Sequence, residues 1–215
     1  MTAPAPETEP TPPPGRRERK KQATREALLD AAFRLFAEQG FEATTVEQIA
    51  EAVDVSARTF FRYFASKEDV ALTSQEEQFY AMLDEFRRRP ADESVLSAMR
   101  HSGTRLIEAM EADGQADERM SRFDCLMRLT EESPALRAGS MERTRRKNDE
   151  MTRAVAERMG ADPDRDLRPR MFAAMASTAF MVAADAYRMG IGGFDSFSEA
   201  VDAAFEILEQ GFSGC

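Results

Sequence analysis

Residues 44–67 read TTVEQIAEAVDVSARTFFRYFASK, two short helical stretches separated by a turn. Thr45 followed three residues later by Gln48 is a capping box, which satisfies free amides at the start of a helix. Behind it Val46, Ile49, Ala50 and Val53 recur at helical spacing and give one short apolar face. Asp54 stands at the reversal, where a short polar side chain tolerates a left-handed backbone. Ser56 then caps the second stretch. Val55 and Phe60 have the spacing of a hydrophobic staple, and Phe60 with Phe64 makes an inward i, i+4 pair. Ala57, Arg58, Thr59, Phe61, Arg62 and Tyr63 are left facing outward.

A helix presented in this way has the form that enters a DNA major groove. Arg58 and Arg62 lie one turn apart, and a guanidinium fork suits guanine edges or phosphates, while Thr59 suits a base or a phosphate. On an isolated helix two arginines are a solvated face. The capped two-helix setting turns the reading toward DNA.

The run from Arg25 to Lys67 resembles the DNA-binding domain of the TetR family of bacterial transcriptional regulators. It contains in order LLDAAFRLFAEQGFEATTV, IAEAVDVS and RTFFRYFASKEDV, closing on Phe60, Phe61, Tyr63, Phe64, Ser66, Lys67 and Glu68. The resemblance implies phosphate contacts from Thr45, Tyr63 and Lys67, each of which has a suitable donor. Their alternative readings are a helix cap, a half-buried ring and a surface charge. Asp54 replaces the family's usual glycine, and Phe61 its usual tyrosine, so Phe61 is carried over only as a packing or van der Waals contact.

The chain has 215 residues, 42% of them hydrophobic, and a net charge of −10. That acidity alone argues against nucleic acid, but the charge is unevenly distributed. Residues 16–67 hold ten Lys or Arg against eight Asp or Glu, whereas residues 68–215 hold nineteen against twenty-nine. A cluster of Arg16, Arg17, Arg19, Lys20, Lys21 and Arg25 precedes a first helix expected from about residue 23 to 39. As an arm it suits a phosphate backbone or a minor groove; its other reading is a solvated run. Residues 1–15 contain six prolines and are expected to be a disordered tail without a signal peptide's apolar core.

From Ser66 onward the pattern is again helical, with Phe79, Met82, Leu83 and Phe86 on one face of a long helix that ends before Pro90. Leu96, Met99, Gly103, Leu106, Ile107 and Met110 mark another helix, Met120, Phe123, Met127 and Thr130 a further one, and a third spans about 134–159. The expected fold is therefore all-α: a three-helix helix-turn-helix domain over residues 16–67, then a helical ligand-binding and dimerisation domain over residues 68–215. Residues 171–184 are fourteen consecutive uncharged residues, too few to span a bilayer comfortably. With a last helix striped by Phe197, Val201, Ala204, Phe205, Leu208 and Phe212, this run suits a symmetric four-helix interface, as TetR relatives use. A homodimer presents two readers about 34 Å apart, one DNA turn, to a palindromic operator.

Thirteen methionines suit an adaptable apolar pocket or an ordinary core. Phe123, Met127, Met151, Met175 and Met181 are the candidate lining, and Asn148 and Asp185 are polar residues on otherwise apolar faces that need a partner if buried. The segment RLTEESPALRA, residues 128–138, resembles a stretch in TetR relatives grouped as acyl-CoA-like binders. That resemblance implies an elongated apolar effector, with Arg143, Arg145, Arg146 and Lys147 available to an anionic head or else simply solvated.

His101 is the single histidine, expected on a solvated face, and the two cysteines, Cys125 and Cys215, are distant in sequence. No cofactor or transition-metal site is expected, nor a catalytic one, since neither a phosphate-cradling glycine loop nor a nucleophile paired with a histidine is present. The leading expectation is a cytoplasmic, homodimeric, effector-responsive repressor; the alternative is a small-molecule binding or sequestering protein whose DNA reader is degenerate.

Overall fold

The computed structural model describes residues 15–114 and 116–211, with the side chains of 116 and 117 left aside. The expected disordered tail, Phe212 and Cys215 lie outside the described residues, apart from Gly15. Among the described residues the chain is helical without strands, and it divides into two compact units between Lys67 and Glu68.

The first unit holds α1 (Arg16–Gln39), α2 (Val46–Glu51) and α3 (Ala57–Phe60). Helix α1 begins two turns earlier than the sequence suggests. Arg, Glu, Lys, Gln and Ala are strong helix formers, and no glycine or proline interrupts residues 16–39, so the basic cluster is the opening of the helix. Gly40, at φ 83°, stops it while its N–H still reaches the Phe36 carbonyl at 3.0 Å. Leu28, Leu29, Ala31, Ala32, Phe33 and Phe36 of α1 are buried, as are Phe41, Ile49, Ala50, Phe60 and Phe64, with the Phe36 and Phe41 rings 5.1 Å apart. Truncating a ring as fully buried as Phe60 costs roughly 3–5 kcal/mol.

The second unit contains α4 (Lys67–Arg88), whose first residue belongs to the first unit, then α5 (Val95–Ala112), α6 (Ala116–Glu132), α7 (Pro134–Met159), α8 (Arg168–Met189) and α9 (Phe197–Gln210). Ser94, Ser133 and Ser196 each accept an amide at the start of α5, α7 and α9, and Pro134 sits where its missing N–H is harmless. Helix α8 packs on α7 and α9, and α5 on α9. Leu83, Phe86, Met99, Met151, Val155, Val201 and Phe205 form the core between them. The Phe180 ring fills the space beside Gly103, where an added Cβ would meet Phe180 Cζ at 2.2 Å, so a glycine is what lets that ring approach α5.

Polar side chains tie the helices together. Arg100 of α5 reaches Asp202, Glu206 and Glu209 of α9 at 2.8, 3.5 and 3.6 Å. Glu111 accepts from the backbone N–H groups of Phe197 and Ser198, stabilising the N-terminus of α9. Helices α4 and α7 run in the same direction, bridged by Arg143 to Asp69 and Glu76, by Tyr80 to Glu150 at 3.1 Å, and by Arg158 to the carbonyls of Arg89, Pro90 and Glu93. His101 is exposed, as the sequence suggests, and it also bonds Glu93, which receives two bonds from Arg89 at 2.8 and 2.9 Å.

On α8, the small residues Ala173, Ala176, Ala179, Ala183 and Ala184 are buried, while Met171, Met181, Val182 and Met189 are exposed. Among the described residues no helix is long and apolar enough to cross a membrane.

Candidate nucleic-acid interface

Side-chain caps fix the starts of both helices of the helix-turn-helix, the first of them reciprocal. Thr45 Oγ1 accepts the Gln48 amide at 3.2 Å, and Gln48 Oε1 accepts the Thr45 amide at 2.9 Å. Gln39, the last residue of α1, donates to Gln48 Oε1 at 3.0 Å and to Thr44 Oγ1 at 3.2 Å, which ties α1 to the start of α2. Asp54 takes the left-handed conformation, φ 55°, and lets the Val55 amide return to the Ala50 carbonyl at 3.0 Å.

Ser56 Oγ accepts from the Thr59 amide at 3.1 Å and lies 3.0 Å from Thr59 Oγ1. Regular helix then lasts only four residues. The chain tightens, with the Arg62 and Tyr63 amides bonding Thr59 and Phe60 three residues back, at 3.2 and 2.8 Å. Thr, Phe and Tyr are middling helix formers, so the anchoring of Phe60 and Phe64, 5.7 Å apart, decides the path.

That path leaves Arg58, Phe61 and Arg62 exposed while Phe60 and Phe64 are buried. Phe61, 56% exposed, stands edge-on to Phe60. Arg62 is braced by Tyr63, donating to its hydroxyl at 3.3 Å with the guanidinium 5.2 Å from the ring centre. Thr45 and Ser56 are exposed and Thr59 and Tyr63 half-buried, so the sequence-expected set except Lys67 is gathered on or beside one short helix and the cap of its neighbour.

Lys67 has a different task. Its ammonium donates to the carbonyls of Phe41, Glu42 and Thr44 at 2.7, 3.3 and 3.0 Å and lies 4.4 Å from the Phe41 ring centre. All three donors are directed at the loop after α1, so the geometry makes it a clamp on that loop instead of a phosphate contact. The signal was available only in three dimensions, since the partners lie 23 to 26 residues away.

The basic cluster also changes meaning. Arg16, Arg17, Arg19, Lys20 and Lys21 are exposed around a helix, with Lys21 paired to Glu18 at 3.4 Å. A helix about 10–12 Å across does not enter a minor groove about 6 Å wide, so the expected groove-reaching arm gives way to a charged rod suited to phosphates.

The expected effector residues differ in exposure. Met151 is part of the core; Phe123, Met127, Asn148 and Met175 are half-buried. Met181 is 54% exposed on α8. Asp185 is ion-paired to Arg188 at 3.1 Å, and Arg188 also binds Asp124 of α6 at 2.9 Å, which answers its need for a partner.

Residues 28–73 match the model of the bacterial regulatory proteins of the tetR family, and residues 93–213 match that of the MftR C-terminal domain. The transcriptional regulator TcmR of Streptomyces glaucescens is 41% identical over 195 residues, 90% of this chain and 84% of that one. The chain belongs to the TetR family of transcriptional regulators. The putative mycofactocin biosynthesis transcriptional regulator MftR of Mycobacterium tuberculosis is 29% identical over 198 residues, 90% of this chain and 93% of its own. The fold is similar to SmeT of Stenotrophomonas maltophilia in its triclosan complex, with a TM-score of 0.60 at 21% identity over 86% of this chain and 90% of that one. This TetR-family chain is accordingly a transcriptional regulator with an N-terminal helix-turn-helix and a helical C-terminal unit, and its relatives are regulators, not enzymes.

Proposed function

We propose that this chain represses transcription as a homodimer bound to a two-fold symmetric operator in the cytoplasm, and is released by a small apolar or amphipathic effector. The observation that carries the reading is the outward face of α3: Arg58, Phe61 and Arg62 stand in solvent on a turn whose inner face, Phe60 and Phe64, is locked in the core. Arg58 and Arg62 would read guanine edges or grip phosphates, Phe61 would contact bases or sugars, and Thr45, Ser56, Thr59 and Tyr63 would hold the register.

The dimer reading is supported by apolar side chains left uncovered on α8 and α9. Met171, Val182, Met189 and Ile207 are each at least half exposed, and the first three recur eleven and seven residues apart along one stripe of α8. A second copy covering this stripe would bury it about a two-fold axis.

Effector release follows if the effector binds better to a dimer whose readers no longer match successive grooves. Selection of bound DNA from a random pool tests the operator: recovery of an inverted repeat is expected, and recovery of no sequence motif would instead favour a sequestering protein. Light scattering of the same preparation is expected to give twice the 24.1 kDa chain mass.

A further inference from the structure

The opening of α1 stands clear of the core of its unit. Residues 16–23 are all exposed, and the buried residues of the helix begin only at Leu28. Arg16, Arg17, Lys20 and Lys21 have the spacing i, i+1, i+4, i+5, which at about 100° per residue gathers four cations within an arc of about 140° on one side of the helix. Arg19 lies about 130° from the middle of that arc. The arrangement works against the helix that carries it. Arg16 with Lys20, and Arg17 with Lys21, are like-charge neighbours one turn apart, and all four stand where the helix dipole is positive. Gly15 supplies no side-chain cap, and the one carboxylate of the stretch, Glu18, pairs with Lys21 at 3.4 Å, an exposed contact worth little. A self-repelling cation face of this kind is neutralised by a polyanion.

Arg25 fixes where that face lies relative to the reading helix. One turn after Lys21, its guanidinium is 5.1 Å from the centre of the Phe64 ring, and Phe64 is two residues from Arg62. At a rise of about 1.5 Å per residue, Lys21 and Arg16 leave α1 about 6 and 14 Å farther along its axis than that contact. We propose that Arg16, Arg17, Lys20 and Lys21 form a second, one-sided DNA contact, seated on phosphates about two to four base pairs from those beneath α3, given about 3.4 Å of duplex per base pair. It adds affinity without reading sequence. The proposal rests on the reading of α3 as the operator reader, and adds which cations of α1 touch DNA and how much duplex they need beyond the base pairs that are read.

The test compares the wild-type chain with a variant carrying Arg16→Gln, Arg17→Gln, Lys20→Gln and Lys21→Gln, glutamine being a comparable helix former. On the operator selected from a random pool, the slope of log affinity against log salt should be shallower in the variant by about 2–4 per bound chain. An unrelated duplex should show the same change, and the base preferences of the operator should stay as they are. Methylphosphonates, which remove the charge of single phosphates, should weaken wild-type binding at flanking positions and leave the variant indifferent there. Arg19→Gln should leave the slope unchanged. Tm of the fourfold variant should hold or rise, because repulsion has been removed. An unchanged slope, altered base preferences, equal response of both proteins to the methylphosphonates, an Arg19→Gln effect as large as the fourfold one, or a fall in Tm would overturn the proposal. Failure of the regulator reading is a separate result, in which the wild-type chain selects no operator; the slope on the unrelated duplex then still decides whether the four cations meet phosphates.

Discussion

The Lys67 ammonium donates to the Phe41 carbonyl at 2.7 Å while lying 4.4 Å from the centre of the same residue's ring. One side chain thus closes the loop between α1 and α2 through both the backbone and the aromatic face of a single partner. Lys67→Met should destabilise the chain by about 1.5–3 kcal/mol, the range for hydrogen bonds from a charged group, in urea unfolding. The slope of log affinity against log salt for the operator should stay unchanged. A slope smaller by about one would show that Lys67 touches a phosphate after all.

Arg62 is braced by Tyr63, so the two act together. Arg62→Ala should weaken operator binding by about 1–3 kcal/mol at fixed salt with no change in Tm. Tyr63→Phe keeps the ring but removes the hydroxyl, and should cost less. Gel-shift titration at one salt concentration distinguishes these from unchanged affinity, which would count against a reading role for α3.

Asp54 adopts a backbone conformation that glycine enters without a Cβ clash. Asp54→Gly should therefore be neutral or stabilise by up to about 1 kcal/mol, the gain being reduced by glycine's freedom in the unfolded chain. Asp54→Val should lower Tm, because a β-branched residue resists this region. Differential scanning calorimetry on both variants gives the comparison.

Glu93 is held down to about 2 chiefly by the Arg89 guanidinium, with His101 adding to the effect and burial opposing it. A carboxylate with a depressed folded pKa contributes stability above its unfolded pKa, near 4.5, and that contribution disappears as pH falls toward 2. Glu93→Gln should lose on the order of 3 kcal/mol at neutral pH, with the gap from wild type closing between about pH 4.5 and 2. Urea unfolding across that window measures it; a gap independent of pH would refute the assignment.

Local chemistry made much of this chain legible before any coordinates. The Thr45–Gln48 box, the Ser56 cap, the left-handed Asp54 and the inward Phe60–Phe64 pair are interactions between residues at most five apart, so sequence spacing suffices to place them. The extent of α1 is locally encoded too, in its strong helix formers, so the basic side chains open a helix and form no separate arm. Lys67 and the His101–Glu93 bond could not be placed by such spacing, whereas the Asp185–Arg188 pair is only three residues apart. A lysine at the start of a helix looks the same whether it points at a phosphate or at carbonyls more than twenty residues earlier, and Asp185 shares Arg188 with Asp124 on another helix.

The sequence by itself therefore determined the helix-turn-helix, the all-helical class and the outward arginines, because caps, helical periods and turn residues act over a few positions. Tertiary structure alone decided which charges are already spent. Arg143 is neutralised across α4 and α7, and Lys67 is consumed by a loop. Whether a cation is available to a ligand depends on which carboxylates and carbonyls the fold brings within about 3 Å of it. That distance is set by packing between segments far apart in the chain.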